Sequence, residues 1–214
     1  MKKTFLTIML ALMGLTSWAQ QEKGTWFAQM KVGMNVSGFT SYRIENQTYS
    51  YDTSADPRIA MHFGLEVERQ LTDRWGLVAG AQYSMQGDKE STKMMGDKFE
   101  ITNKVDYINI PLLAKFYVVK GLSLKAGLQP AFCVRKVYDS GTTTRKLSEI
   151  GVPIRNFDLA VPLGIAYEFD NHSSTGLSIE ARWNMGLLKV AEDVEGDAIH
   201  NMVFQLSLGY RFRL

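Results

Sequence analysis

The chain alternates. In the closing stretch "HNMVFQLSLGYRFRL", which begins at His200, the residues Met202, Phe204, Leu206, Leu208, Tyr210, Phe212 and Leu214 take every second position. Gln205, Ser207, Gly209, Arg211 and Arg213 lie between them. Successive side chains of a strand point to opposite faces, so a period of two predicts a strand that is apolar on one side only. The pattern recurs in eight segments: about Ala28 to Val36, Ile59 to Val67, Trp75 to Met85, Ile108 to Val118, Leu122 to Phe132, Phe157 to Phe169, Leu177 to Leu187, and Met202 to Leu214. Six of them have the roughly 9 to 11 residues that a tilted strand needs to cross a bilayer, and the sixth and eighth run slightly longer.

The links between segments alternate in length. Segments two and three are joined through "LTDR", four and five through "VKG", six and seven through "NHSST". The other four links are long: Ser37 to Arg58, Gly87 to Tyr107, Arg135 to Asn156, and Leu188 to Asn201. Short turns at one end and long loops at the other are the layout of an outer-membrane barrel, which places both termini on the short-turn, periplasmic side. A terminal strand without a tail fits, because the last strand must pair with the first to remove both sheet edges. The fold expected is therefore all-β, an eight-stranded antiparallel transmembrane up-and-down barrel.

The two faces differ in charge. None of the apolar-parity positions is Asp, Glu, Lys or Arg, although those types make up 21% of the chain. A Lys or Arg facing lipid near the bilayer midplane costs about 2–4 kcal/mol, which is the physical reason for such a face. The opposite parity carries Lys31, Glu66, Lys115, Lys125, Asp158, Glu168, Glu180, Arg182, Arg211 and Arg213. These are expected to form ion pairs in a lumen that, with eight strands, is just wide enough for side chains to fill. The expectation is a plugged polar core without an open pore. Trp75, Tyr167, Phe169, Tyr210 and Phe212 would form one interfacial girdle, and Tyr83, Phe132 and Phe157 the other.

Ahead of the first segment, "MKKTFLTIMLALMGLTSWAQ" has two lysines, an apolar run from Phe5 to Leu15, and Ser17 and Ala19 at cleavage spacing. It is expected to be a cleaved signal peptide over residues 1–19, leaving a single barrel domain over residues 20–214. The one cysteine, Cys133, has no partner for a disulfide and reads as packing. A formal net charge of +2 and the absence of a basic run give no reason to expect nucleic acid.

Several blocks resemble the eight-stranded outer-membrane barrels of Bacteroidetes known as PorT-like or "porin family" proteins. They are "KVGMNVSGF" at 31–39, "FGLEVERQLTDRWGLVAGAQYSMQGD" at 63–88, "YINIPLLAKFYVVKGLSLKAGLQPAF" at 107–132, "FDLAVPLGIAYEF" at 157–169 and "FQLSLGYRF" at 204–212. The resemblance implies an outer-membrane location and a link to secretion, without an assigned activity. The terminal "GYRFRL" looks like the signal read by the barrel-assembly machinery, carried by Gly209, Tyr210, Phe212 and Leu214; it departs from the usual pattern in ending on Leu.

Other chemistry is sparse. The lipocalin alternative rests on "GTW" at Gly24 to Trp26, but it needs a helix after the last strand. An enzyme that modifies lipid A would use His, Ser and acidic groups near the outer rim. Of His62, His172 and His200, only His200 falls there, and no serine motif accompanies it. Glu192, Asp193, Glu195 and Asp197 crowd the last loop and are weak candidates for a divalent cation, away from EF-hand spacing. No residue is assigned a catalytic role and no cofactor is expected. The expected partners are outer-membrane lipid and lipopolysaccharide, the assembly machinery during biogenesis, and an unidentified partner of the long loops.

Overall fold

The computed structural model describes residues 22–39, 44–46, 49–51, 56–94, 97–140, 143–147, 154–169, 175–189 and 200–214. In chain order the strands are β1 (Trp26–Phe39), β2 (Ile44–Asn46), β3 (Tyr49–Tyr51), β4 (Asp56–Gln70), β5 (Trp75–Met94) and β6 (Asp97–Asn109). They continue with β7 (Leu112–Val119), β8 (Leu122–Asp139), β9 (Thr144–Lys146), β10 (Phe157–Glu168), β11 (Thr175–Lys189) and β12 (His200–Arg213). The described residues include no α-helix.

All the barrel pairings are antiparallel, and the sheet closes on itself. Around the wall run β1, β4, β5, then β6 and β7 as one interrupted stave, β8, β10, β11 and β12, which returns to β1 from Phe27↔Arg213 to Phe39↔Asn201. The fourth expected segment thus divides at Ile110 and Pro111. Proline has no N–H to give to the ladder, yet the break is still bonded: Pro111 O accepts from Gly80 N at 3.1 Å, and Ile110 N donates to Pro130 O at 2.8 Å.

Two turns on the short side show why the chain reverses there. At 71–74 the Thr72 hydroxyl accepts from Trp75 N at 3.0 Å, while Leu71 N donates to Trp75 O at 2.8 Å. Between β7 and β8, Gly121 takes φ +79°, a conformation that side-chain-bearing residues rarely adopt. The link at 170–174, with His172, lies outside the described residues.

At the other end the expected loops contain more strand than alternation indicated. The Gly87 to Tyr107 link is paired backbone: β5 and β6 remain in register from Gln82↔Asn109 to Met94↔Asp97. Ladder hydrogen bonds form whatever the side chains, and a hairpin standing beyond the bilayer has no need of one apolar face. The first long link contains the β2–β3 hairpin, and the third contains β9 on the edge of β8. The acidic residues Glu192, Asp193, Glu195 and Asp197 lie outside the described residues, as do residues 1–19.

The wall is turned inside out relative to a soluble protein. Met30, Met34, Phe63, Leu65, Leu77, Leu128, Leu163, Trp183, Leu206 and Leu208 are all exposed, while Lys115, His62, Arg182 and Glu180 are at most 1% exposed. Rings meet in pairs towards the ends of the apolar belt. Phe63 stacks on Tyr83 at 5.4 Å, and the Phe132 ring meets Phe157 tilted at the same distance; Trp75 meets Phe116 at 4.8 Å and Tyr167 meets Phe169 at 5.2 Å.

Candidate functional site: the filled lumen

The inward positions of β4, from the short-turn end upward, are Gln70, Glu68, Glu66, Gly64 and His62, and they mark successive tiers of the lumen. The lowest tier is a four-cornered ring. Glu68 on β4, Lys115 on β7, Glu168 on β10 and Arg211 on β12 come from alternate staves, and their charges alternate. Lys115 Nζ donates to Glu68 Oε2 at 2.7 Å and also bonds Glu168. Arg211 Nη1 donates to Glu168 Oε2 at 2.7 Å, and its Nη2 lies 3.4 Å from Glu68 Oε2. Tyr117 OH donates to Glu68 Oε1 at 2.9 Å, and the Phe27 ring lies 3.4 Å beneath the Arg211 guanidinium. Each carboxylate thus faces two cations, the condition under which buried charge is tolerated.

The second tier gathers Lys31, Glu66, Lys125, Glu180 and Arg182. Lys31 Nζ lies 3.1 Å from Glu66 Oε1 and 2.9 Å from Glu180 Oε2; Lys125 Nζ lies 2.6 Å from Glu180 Oε2 and 3.4 Å from Glu66 Oε2. Arg182 Nη2 closes the cluster at 2.7 Å from Glu66 and 2.5 Å from Glu180. Three cations against two carboxylates leave one formal positive charge.

Above it is a neutral tier. His62 Nδ1 lies 2.7 Å from Asn35 Oδ1, and Nε2 lies 2.8 Å from Ser207 Oγ. Asn35 Nδ2 donates to Ser84 Oγ at 2.9 Å and Gln205 Nε2 donates to Asn35 Oδ1 at 2.9 Å. The ring fits because β1 opposes it with Gly33, where a Cβ would stand 2.7 Å from His62 Cε1. Ser207, His62 and Asn35 follow the hydrogen-bond order of a nucleophilic triad. They are nevertheless 3%, 0% and 0% exposed, so the Ser207 hydroxyl is closed off from any substrate carbonyl and the trio acts as structure. On the long-loop side, Val105, Tyr107, Ala131 and Leu147 form an apolar cluster, with Cys133 packed against it.

Two expected members stand elsewhere. Arg213 is at the rim as the last residue of β12, its side chain 47% exposed and paired at 2.5 Å with Glu22. Asp158 is buried apart from both charged tiers, and its Oδ1 accepts from Leu159 N at 2.7 Å. Glu68, not among the expected residues, lies past the end of the apolar alternation at Val67, one further step of the same parity along β4. Tyr117, Asn35 and Ser207 carry no charge to single them out. Of the terminal residues, Gly209 faces inward against Gln29 and Ser178, Tyr210 faces outward, Phe212 is half-buried at the rim, and Leu214 is exposed with its N–H bonded to Trp26 O at 2.9 Å. His200 begins β12 as the register partner of Lys189.

The model of one protein family, the outer membrane protein beta-barrel domain, matches residues 18–192. Among solved structures, OprG from Pseudomonas aeruginosa is similar with a TM-score of 0.55 and 13% identity, covering 92% of this chain and 98% of its own. Ail of Yersinia pestis follows with a TM-score of 0.45 and 15% identity, covering 89% and 99%. At these identities the likeness to OprG is one of fold. No curated protein matches in sequence.

Proposed function

The chain belongs to the outer membrane protein β-barrel domain family, and we propose that it is a closed, non-enzymatic scaffold of the bacterial outer membrane whose activity resides in its long-loop end. One observation carries this reading: the charged side chains link non-adjacent staves across the lumen, through pairs such as Arg182–Glu66 and Lys125–Glu66, each three staves apart around the wall, and so fill the bore. A barrel sealed in this way presents loops and does not conduct. Loops on a rigid scaffold are where binding function is usually placed.

The proposal includes an orientation. Both termini face the periplasm, and the β5–β6 hairpin and β9 stand at the cell surface, where the loop partner binds. Outer-membrane lipid and lipopolysaccharide surround the belt, and the assembly machinery reads Gly209, Tyr210, Phe212 and Leu214 during insertion. The resemblance to PorT-like proteins supports a position beside secretion machinery.

The deciding experiment reconstitutes the refolded mature chain into planar bilayers. The expected result is no stable stepwise conductance, with heat-modifiable gel migration showing that the protein is folded. A steady channel formed by folded protein defeats the scaffold reading. For the secretion role, deletion of the gene should reduce export of surface cargo; unaltered export removes that part of the proposal.

A further inference from the structure

Just beyond the lipid-facing belt, the wall made by β5, β6, β8 and β9 changes character without changing face. Ile108, Phe132 and Val134 are exposed and apolar. One register step further out, the same outward side carries Asp106 opposite Arg135, and then Lys104 and Lys146 on either side of Val137. A bulge between Asp106 and Tyr107 keeps Val134 and Arg135 consecutive on this side, so the apolar belt passes directly into the charged row.

Asp106 organises the patch. Its carboxylate is 1% exposed and accepts from Tyr83 OH at 2.8 Å, while Arg135 Nη1 stands 3.6 Å and Arg58 Nη1 3.9 Å away. Tyr83 is also the ring that stacks on Phe63 in the belt. A tyrosine with its ring against apolar side chains and its hydroxyl in a polar cluster marks the membrane–water boundary. Two arginines are therefore held at headgroup depth by one buried carboxylate, and the Arg135 side chain remains 51% exposed. Lys104 pairs with Asp139, and Lys146 is exposed. Arg58, Lys104, Arg135 and Lys146 against Asp106 and Asp139 leave the patch with a formal surplus of two positive charges.

We propose that this patch binds the phosphate groups of a lipid A-type glycolipid in the outer leaflet. The occupant follows from position and charge. Whatever covers a face continuous with the lipid belt must itself lie in the membrane with its head at this depth, and a fixed cationic row selects an anionic head. Guanidinium groups favour phosphate because their planar N–H pairs match two phosphate oxygens at once. The phosphates of such a glycolipid lie at the base of its sugar headgroup, directly above the acyl chains, which is where Arg135 follows Val134. This inference rests on the orientation proposed above, since that lipid occupies the outer leaflet alone.

The test uses the refolded mature chain in phosphatidylcholine nanodiscs, with bisphosphorylated lipid A and the same lipid stripped of phosphate as probes. The expected result is preferential binding of the phosphorylated lipid, weakened roughly tenfold in the double variant Arg135→Ala/Lys146→Ala. The control Arg69→Ala/Arg74→Ala, which removes two exposed cations at the opposite rim, should bind like the unaltered chain. Equal affinity for both probes, or an equal loss in the control, overturns the proposal. Both Arg135 and Lys146 are exposed, and the gel shift checks that the variant is folded. Orientation is read separately by Thr143→Cys in a Cys133→Ser background, labelled in intact cells with a membrane-impermeant maleimide. Labelling supports the inference. Reaction only after lysis overturns both it and the proposed orientation, whereas surface labelling with phosphate-indifferent binding overturns the lipid site alone.

Discussion

Arg182 and Glu66 meet across the lumen at 2.7 Å, one from β11 and the other from β4, with β12 and β1 between them along the wall. Glu66 also receives Lys31 and Lys125, so a single carboxylate holds three cations from three other staves. Glu66→Gln removes that common partner and leaves Glu180 alone among them. Stranding buried charge costs about 3–5 kcal/mol. The variant should unfold at a markedly lower urea concentration in lipid vesicles, followed by loss of the heat-modifiable gel band. An unshifted midpoint means that water in the lumen, and not Glu66, solvates those cations.

The ring below allows a finer test. Glu168 is shared by Lys115 and Arg211, and Tyr117 touches both ring carboxylates. In a double-mutant cycle, Lys115→Met and Glu168→Gln should therefore be non-additive, with a favourable coupling of about 0.5–3 kcal/mol. The sign is the informative part. Strictly additive losses would show that each side chain acts through packing alone, since two members of one charge ring cannot be removed independently.

The outward face makes a prediction graded by depth. Leu206 is 49% exposed in the middle of β12, between Met34 and Ala181 in register, whereas Leu214 sits at the end of the wall beside Trp26. Leu206→Arg should destabilise by about 2–4 kcal/mol and Leu214→Arg by only about 0–1 kcal/mol. Equal costs for the two, measured by reversible unfolding in vesicles, would mean that Leu206 is not in the hydrocarbon core.

These elements differ in how plainly the sequence announces them. The apolar face of β12 is visible because lipid excludes charge from every second residue, and the closure with β1 follows from the need to leave no sheet edge open in the bilayer. The inward charges were equally visible on parity, as Lys31, Glu66 and Arg182 illustrate. Glu68 was hidden by a segment end placed at Val67, where outward hydrophobicity fades although the strand continues to Gln70. The β5–β6 extension was hidden for the complementary reason: outside the bilayer, ladder hydrogen bonds hold a hairpin with no periodic side-chain signature. Arg135 and Lys104 then read as loop residues, and the parity that places them on one face with Val134 emerges only from the bulge and register. In the neutral tier, His62 lies 27 positions from Asn35 and 145 from Ser207 along the chain, with no local motif to unite the three.

Gly87 separates the extension from the barrel experimentally. It has φ +125°, a Cβ there would run into the Asn103 carbonyl oxygen, and its own carbonyl accepts from the Ser37 hydroxyl at 2.8 Å. Gly87→Ala forces a side chain into both a strained backbone and an occupied space, at a local cost of about 1–3 kcal/mol. Below it, the pairing of Gln82 with Asn109 and the charged tiers are untouched. The variant should therefore keep its gel shift and its unfolding midpoint, while trypsin cuts sooner at Lys89, Lys93, Lys98 or Lys104. If instead the whole barrel loses stability, the hairpin is part of the same cooperative unit as the membrane wall, and the outward row at Arg135 and Lys104 cannot be loosened without unfolding the protein.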